Sequence, residues 1–315
     1  MQQDVRKHDP RCQVVPVEDK QVVFQIDGRE CLRWHGGASA PRPFFYPIHG
    51  PSGATLTRMG HPGAANHDHH RSVWYAHHDV SGVDFWSDNT ESRIRQRGWY
   101  ALQDGGDEAV MGVELHWLDG HDANPLLKQE MIAALRPLAE NEYTLELQAT
   151  FTPTSATLQF NKTNFGFLAV RVAKSISTYF GGGHIVNSSG RIGEAEIFGH
   201  PAGWMDYSGP VSVGSRQQRR EVVEGITYFD HAENFSYPSK WHVREDGWMG
   251  ASNCRDGDVT TSKDKPLQIR HLLHIHSGTV QREVAGALAV DFNQRPPFVV
   301  RKGTKKHHQH EIVRA

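Results

Sequence analysis

Cysteine is scarce in this chain: Cys12, Cys31 and Cys254 are the only three in 315 residues. An odd, widely spaced set supports neither a disulfide framework nor a Cys-based zinc site, and it fits a reducing cytoplasm. Long apolar runs are missing too. No segment approaches the roughly 18 uncharged apolar residues of a membrane-spanning helix. The opening stretch MQQDVRKHDPRCQVVP has no apolar core, so we expect no signal peptide and a cytoplasmic location. Nor is there an excess of one charge. The 34 Lys+Arg against 36 Asp+Glu leave a net of −2 with histidine neutral, which argues against a nucleic-acid binder and against an acidic disordered chain. There is no P-loop, no G-x-G-x-x-G, no H-E-x-x-H and no repeat of 20–50 residues.

What the chain has in quantity is β signal and histidine. YTLELQATF (143–151) places Tyr143, Leu145, Leu147 and Ala149 on one face and Thr144, Glu146, Gln148 and Thr150 on the other, a period of two. Similar runs, with Gly/Pro punctuation between them, cover 21–27, 31–35, 109–119, 126–136, 156–161, 167–172, 185–188, 211–216, 239–245 and 267–276. One helix is expected, over 279–293, with Val280, Val284, Leu288 and Phe292 on a stripe and a Pro pair at 296–297 after it. Many short strands and a single helix predict an all-β chain. The expected fold is a large antiparallel β-sandwich over residues 1–300, followed by a basic, His-rich tail (301–315) lying in solvent. Insertions around 40–100 and 190–240 are expected to rim one face.

Histidine numbers 21, and six of these (His61, His67, His69, His70, His77, His78) fall within 18 residues, interleaved with Arg71, Asp79, Asp84, Trp74 and Trp86. Imidazole is the commonest general acid/base and a favoured transition-metal ligand. On a strand His67 and His69 would project from one face and could share a divalent metal, with His70 pointing away. A surface loop could collect the same histidines for structural pairing. A second group, FGHPAGWMDY (198–207), sets Trp204 beside Asp206 and Tyr207, a stacking face next to a carboxylate that suits a sugar ring, or else rim packing. A third, DHAENFSYPSKWHVR (230–244), carries His231, Asn234, Trp241, His242 and Arg244. In HLLHIH (271–276), His274 and His276 share a face with Leu272. Arg171 and Lys174 are candidates for holding a carboxylate or oxyanion, with structural pairing as the alternative. Arg42 opens an aromatic stretch in which Pro47 argues against a central strand.

The stretches RPFFYPIHGPSGATLTR (42–58), HDHHRSVWYAHHDVSGVDFW (67–86), GFLAVRVAKS (166–175), IVNSSGRIGE (185–194), GHPAGWMDYSG (199–209), the DHAEN…YPSKWHVR run (230–247) and HIHSG (274–278) resemble a bacterial family of unknown function labelled "methane oxygenase PmoA-like". The resemblance covers about residues 40–280. It implies a sandwich of the galactose-mutarotase-like supersandwich type and an association with sugar-catabolic oxidoreductases. Carried over by motif, it marks His67, His70 and His77 with His231 for catalysis. It marks Arg71, Asp84, Arg171, Asn187, Trp204, Asp206, Asn234 and His274 for substrate binding. Two departures limit the transfer: Asp68 stands where family members commonly have proline, and many members carry a signal peptide.

The expected activity is carbohydrate chemistry on a sugar or keto-sugar: epimerisation, β-elimination or hydration driven by histidine acid/base transfer. It could be assisted by a divalent metal on His67, His69 and His70. A small carbohydrate is the expected partner, with neither nucleic acid nor membrane. Two other readings compete. One is a non-catalytic carbohydrate-binding or accessory protein, which needs the aromatics but no proton-transfer pair. The other is a metal-dependent oxygenase, which needs a redox metal on a set such as His67, His70 and Asp84.

Overall fold

Alternation of side chains across a strand is what assembles this chain. Tyr143, Leu145, Leu147 and Ala149 are fully buried in the main core, as their common face requires. The computed structural model describes residues 9–61, 63–64, 67–215 and 217–315; residues 1–8 of the expected domain and positions 62, 65 and 66 of the His-rich block lie outside the described residues.

In chain order the first strands are β1 (Cys12–Val17), β2 (Gln21–Ile26), β3 (Arg29–His35), β4 (Phe44–Ile48) and β5 (Val73–His77). Next come β6 (Arg93–Gln103), β7 (Ala109–Leu118), β8 (Leu127–Pro137), β9 (Tyr143–Pro153) and β10 (Thr157–Phe160). They are followed by β11 (Gly166–Arg171), β12 (His184–Asn187), β13 (Trp204–Val213), β14 (Arg220–Asp230) and β15 (Trp241–Arg244). The last are β16 (Trp248–Ala251), β17 (Val259–Ser262), β18 (Leu267–Ser277), β19 (Phe298–Lys302) and β20 (His310–Arg314). Two helices, α1 (Glu194–Ile197) and α2 (Arg282–Gln294), complete the described elements.

Among the described residues the strands form two eight-stranded sheets, β1-β2-β3-β4-β5-β11-β16-β15 and β12-β13-β14-β18-β9-β8-β7-β6, and two small hairpin-like pairs, β10-β17 and β19-β20. The pairing is antiparallel throughout. One continuous apolar core takes side chains from both large sheets, so the fold is the expected all-β sandwich. The three cysteines are buried and unpaired. No helix among the described residues is long and apolar enough to cross a membrane.

Four expectations need correction. The 190–240 region is not a rim insertion: β13 and β14 are interior strands of the second sheet. In β14 the half from Glu224 to Asp230 is buried on both faces, which erases the alternation that marks a strand. The FFYPI stretch does form a strand inside the first sheet. Only Phe44, Phe45 and Ile48 pair with β3, so Pro47 costs the ladder no hydrogen bond. The helix is shorter than expected and its buried stripe is rotated, with Ala285, Leu288, Ala289 and Phe292 on the sheet while Val284 is exposed. Small alanines let the helix lie close against Trp204, Phe229 and Leu272.

The basic end of the chain is the fourth. Residues 298–302 and 310–314 pair as a hairpin over the second sheet, burying Phe298 and Ile312 against Val110, Ile132 and Ala134. This hairpin and α2 explain why the polar face of β9 is buried as well. Glu146 receives Arg270, Arg295 and Arg314, and Gln148 bonds the Phe298 backbone twice.

Candidate functional site

The outward face of the first sheet carries the site. On β5, β11, β16 and β15 the inward residues (Val73 and Tyr75, Leu168 and Val170, Met249 and Ala251, Trp241 and Val243) enter the core. Their neighbours therefore point the other way: Trp74 and Ala76, Ala169 and Arg171, Trp248 and Gly250, His242 and Arg244. The register aligns Arg171, Trp248 and Arg244 in one row across three strands, and Trp74, Ala169, Gly250 and His242 in the next. The small residues in the second row leave room for large rings to lie on the sheet. Trp74, Trp86 and Trp248 pack there with Ala76 and Ala169, with ring centroids 5.3 to 5.6 Å apart.

Two loops wall this floor. One carries His61 and the 67–71 segment; the other is the 78–88 segment. Arg42 ties them together. Its guanidinium, 1% exposed, donates to the carbonyls of Phe85 (3.0 Å), Ser87 (2.9 Å), His69 (3.3 Å) and Trp86, and pairs with Asp88. Arg71 holds the same Asp88 at 2.6 Å. Asp84 turns the second loop by accepting the Trp86 and Ser87 N–H groups at 2.6 and 3.1 Å. Arg71 and Asp84 thus shape the loops that wall the cleft.

The result is a cleft of about 630 Å³, floored by Trp86 and Trp248 and walled by His61, His67, His69, His70, His78 and His242. Its far side brings Phe165, Tyr179, Phe180, Arg171, Glu194 and the 244–246 turn. His67 sits 5.2 Å from His70 with near-parallel rings, and 5.3 Å from His61. Burial, and then the His61 and Arg171 charges, hold His67 below the ordinary imidazole value. Burial against Trp248 (4.8 Å) and Trp74 (5.6 Å) keeps His70 neutral far more strongly. Nδ1 of each of these two rings is buried with no hydrogen-bond partner among the described residues. His61 Nε2 lies 3.1 Å from Asp246, whose carboxylate also receives both terminal nitrogens of Arg171 at 2.8 and 3.0 Å. His242, lowered to about 4 chiefly by burial, stacks edge-on against Phe165, Phe198 and Trp248. Glu194, at the start of α1, takes Arg244 at 2.6 Å and the Glu245 N–H at 2.7 Å.

Of the residues singled out from sequence, His61, His67, His69, His70, His78, Trp86, Arg171, His242 and Arg244 line this cleft, with Trp74 packed beneath it and Arg71 and Asp84 in its walls. The others are placed elsewhere. His77 points into the core between Phe160 and Phe167, accepts the Asp79 N–H, and is lowered to about 3 by burial. His231 is fully buried behind the second sheet, against Phe292 and 2.9 Å from Arg270. Trp204 is covered by α2 and offers no stacking face. Asp206 bonds Thr227 and His276, both at 2.8 Å, on that same covered sheet face. Asn187 closes the 187–191 turn, and Asn234 ties Asp230 to the Arg270 backbone. His274 pairs with Glu142 at 3.0 Å near the start of α2. His77 lies outside the cleft because it faces the core from the first sheet, and Trp204 because a helix covers that face of the second sheet, neither of which local spacing reveals.

His67, His69 and His70 lie in a turn rather than on a strand, with their rings stacked or edge-on. Among the described residues no group of three or more His, Cys, Asp or Glu side chains is placed to hold a metal ion. Asp246, Trp248, Phe165, Tyr179 and Phe180 escaped the candidate list altogether. A signal for two of them was present: Asp246 and Trp248 follow directly on the His242/Arg244 group.

The model of a family described as a family of unknown function (DUF6807) matches residues 21–290. No curated protein matches the chain. Among solved structures, heparan sulfate lyase HepC from Pedobacter heparinus aligns over 94% of this chain and 36% of its own, with 7% identity and a TM-score of 0.33. The 4-alpha-glucanotransferase from Thermococcus litoralis aligns over 86% of this chain and 40% of its own, with 6% identity and a TM-score of 0.28. The chain thus spans well under half the length of either.

Proposed function

We propose, for a chain that belongs to the DUF6807 family of unknown function, that the cleft binds a small sugar or keto-sugar and moves protons on it through histidine. The observation that carries this reading is the pairing of two unlike imidazoles in one aromatic-floored cleft. His67 is held towards its neutral form by burial and by the His61 and Arg171 charges, the state from which a general base acts. His61 Nε2 lies 3.1 Å from Asp246, itself fixed by Arg171, an arrangement that orients the imidazole. Indole faces at Trp86 and Trp248 suit the C–H face of a sugar ring, and the cleft volume suits one or two rings.

In such a site His67 takes a proton from a carbon next to a carbonyl. His61 then returns one, either to the opposite face (epimerisation) or to a departing hydroxyl (elimination). The reaction needs no oxidant.

The test is His67→Ala and His61→Ala on protein screened for turnover and for binding with hexoses, ketoses and their oxidised derivatives. Turnover should fall by about 10²- to 10⁴-fold in either variant with binding retained. Binding without turnover in the parent protein, lost equally in both variants, would instead make this a carbohydrate-binding module.

A further inference from the structure

The Asp246 end of the cleft holds more buried positive charge than it neutralises. Arg171 is fully buried and Arg58 is 9% exposed, and Asp246 is the one carboxylate they share. Arg171 takes both carboxylate oxygens of Asp246, while among the described residues Arg58 hydrogen-bonds the Asp246 backbone carbonyl, at 2.5 Å, and not its carboxylate. Nε and Nη1 of Arg58 are buried with no hydrogen-bond partner among the described residues, as is Nε of Arg171. The other nearby carboxylates do not close the account. Glu194 is taken by Arg244 and the Glu245 N–H, and Glu245 is exposed to solvent. Phe180, a cleft-wall residue, lies over the Arg58 guanidinium at 5.5 Å, and the Lys174 ammonium approaches the same ring at 5.4 Å.

A guanidinium taken from water costs several kcal/mol, and the cost is recovered when a matching charge arrives. Burial and the neighbouring Arg171 pull Arg58 down to about 10, so it is still a cation at neutral pH. Among the described residues this end of the cleft is one negative charge short, and it lies beside the His61–His67 pair.

We infer that the substrate supplies that charge: the sugar is an acidic one, a hexuronate, with its carboxylate seated on Arg171 and Arg58 behind it. This deepens the reading above and rests on it. Seated so, the carbon bearing the carboxylate faces His67, and the carboxylate is the group whose enediolate form would spread the charge left when that carbon loses its proton. Arg58 acts through its charge, as a positioning residue rather than a catalytic one.

The experiment is calorimetric binding of D-glucuronate, D-galacturonate, D-glucose, D-galactose and D-glucose 6-phosphate to the parent protein, Arg58→Met and Arg58→Lys, with Tm of each unliganded protein. A uronate should bind the parent at least ten-fold tighter than its neutral partner. Arg58→Met should weaken the uronate about 10- to 100-fold and leave neutral sugars unchanged, while Arg58→Lys keeps most of the preference. Without ligand, Arg58→Met should be no less stable than the parent, because it removes an uncompensated charge.

Equal binding of acidic and neutral sugars overturns the inference and leaves the carbohydrate reading standing. Failure of every sugar to bind overturns both. Glucose 6-phosphate bound tighter than either uronate overturns the choice of carboxylate. A several-degree fall in the Tm of Arg58→Met with the uronate preference intact would make Arg58 a structural residue and overturn its role here.

Discussion

Arg42 offers the sharpest test of how this site is held. Replacing it with methionine keeps the volume and removes one guanidinium that bonds four backbone carbonyls and one carboxylate. Hydrogen bonds to a charged group contribute about 1.5–3 kcal/mol each, so five amount to roughly 7–15 kcal/mol before offsets. The offsets are large. Burial lowers Arg42 to about 10, a penalty of about 3 kcal/mol on its charged form. Several of the freed carbonyls are only partly buried and regain water. The net expected loss is about 4 kcal/mol, a large fraction of the ~5–15 kcal/mol that stabilises a typical domain.

Arg42→Lys should recover less than half, since one ammonium cannot span carbonyls on two loops. Urea titrations followed by circular dichroism measure the loss. Sugar binding should weaken in both variants, because the His67–Arg71 and Trp86–Asp88 segments lose their common anchor. A loss below 1 kcal/mol for Arg42→Met, or a lysine variant as stable as the parent, would refute the staple.

Three further outcomes follow from the same structure. Burial depresses His77 to about 3 and His231 and His242 to about 4, so between those values and about 6.5 the unfolded chain binds more protons than the native one. Their contribution is fully present above about pH 6.5 and is lost as pH falls; each should lower the unfolding free energy by about 1.4 kcal/mol per pH unit in its window, measured as urea midpoints at pH 7, 6, 5 and 4.5. His276 should behave oppositely. Burial opposes its charge, but the Asp206 carboxylate at 2.8 Å outweighs burial and raises it, so its contribution is present below pH 6.5 and fades as pH rises through its folded value; its imidazole NMR shifts should titrate above 6.5 and drop in Asp206→Asn. Truncation after Pro297 should cost at least about 4 kcal/mol, because it uncovers Val110, Ile132 and Ala134 and removes Arg314 from Glu146; an unchanged Tm would mean the hairpin adds nothing to the fold.

Much of the fold was legible because strand alternation is local. The β7, β8, β9 and β18 strands announce themselves through residues two apart, and they lie side by side in the second sheet. What misled the reading was coverage. The alternate face of β9 reads as solvent-facing, yet Thr144, Glu146 and Gln148 are buried, because α2 and the β19-β20 hairpin lie over it. The same coverage turned Trp204 and Asp206, a persuasive sugar platform on paper, into packing and an internal hydrogen bond. Histidine density pointed to the right loop but could not sort its members: His67 and His70 enter the cleft while His77, a few residues on, turns into the core.

The amino-acid order by itself determined the class of fold, the absence of a helical membrane span among the described residues, and the place where imidazoles concentrate. Each depends on composition or on neighbours a few residues apart. Only the tertiary structure decided which imidazoles face one another, that Asp246 and Trp248 join them from a distant strand pair, and that Arg58 shares its one nearby carboxylate among the described residues with Arg171. Those facts depend on sheet register and on which faces are covered, and both are set by packing between distant segments, such as Arg58 and Asp246, 188 residues apart.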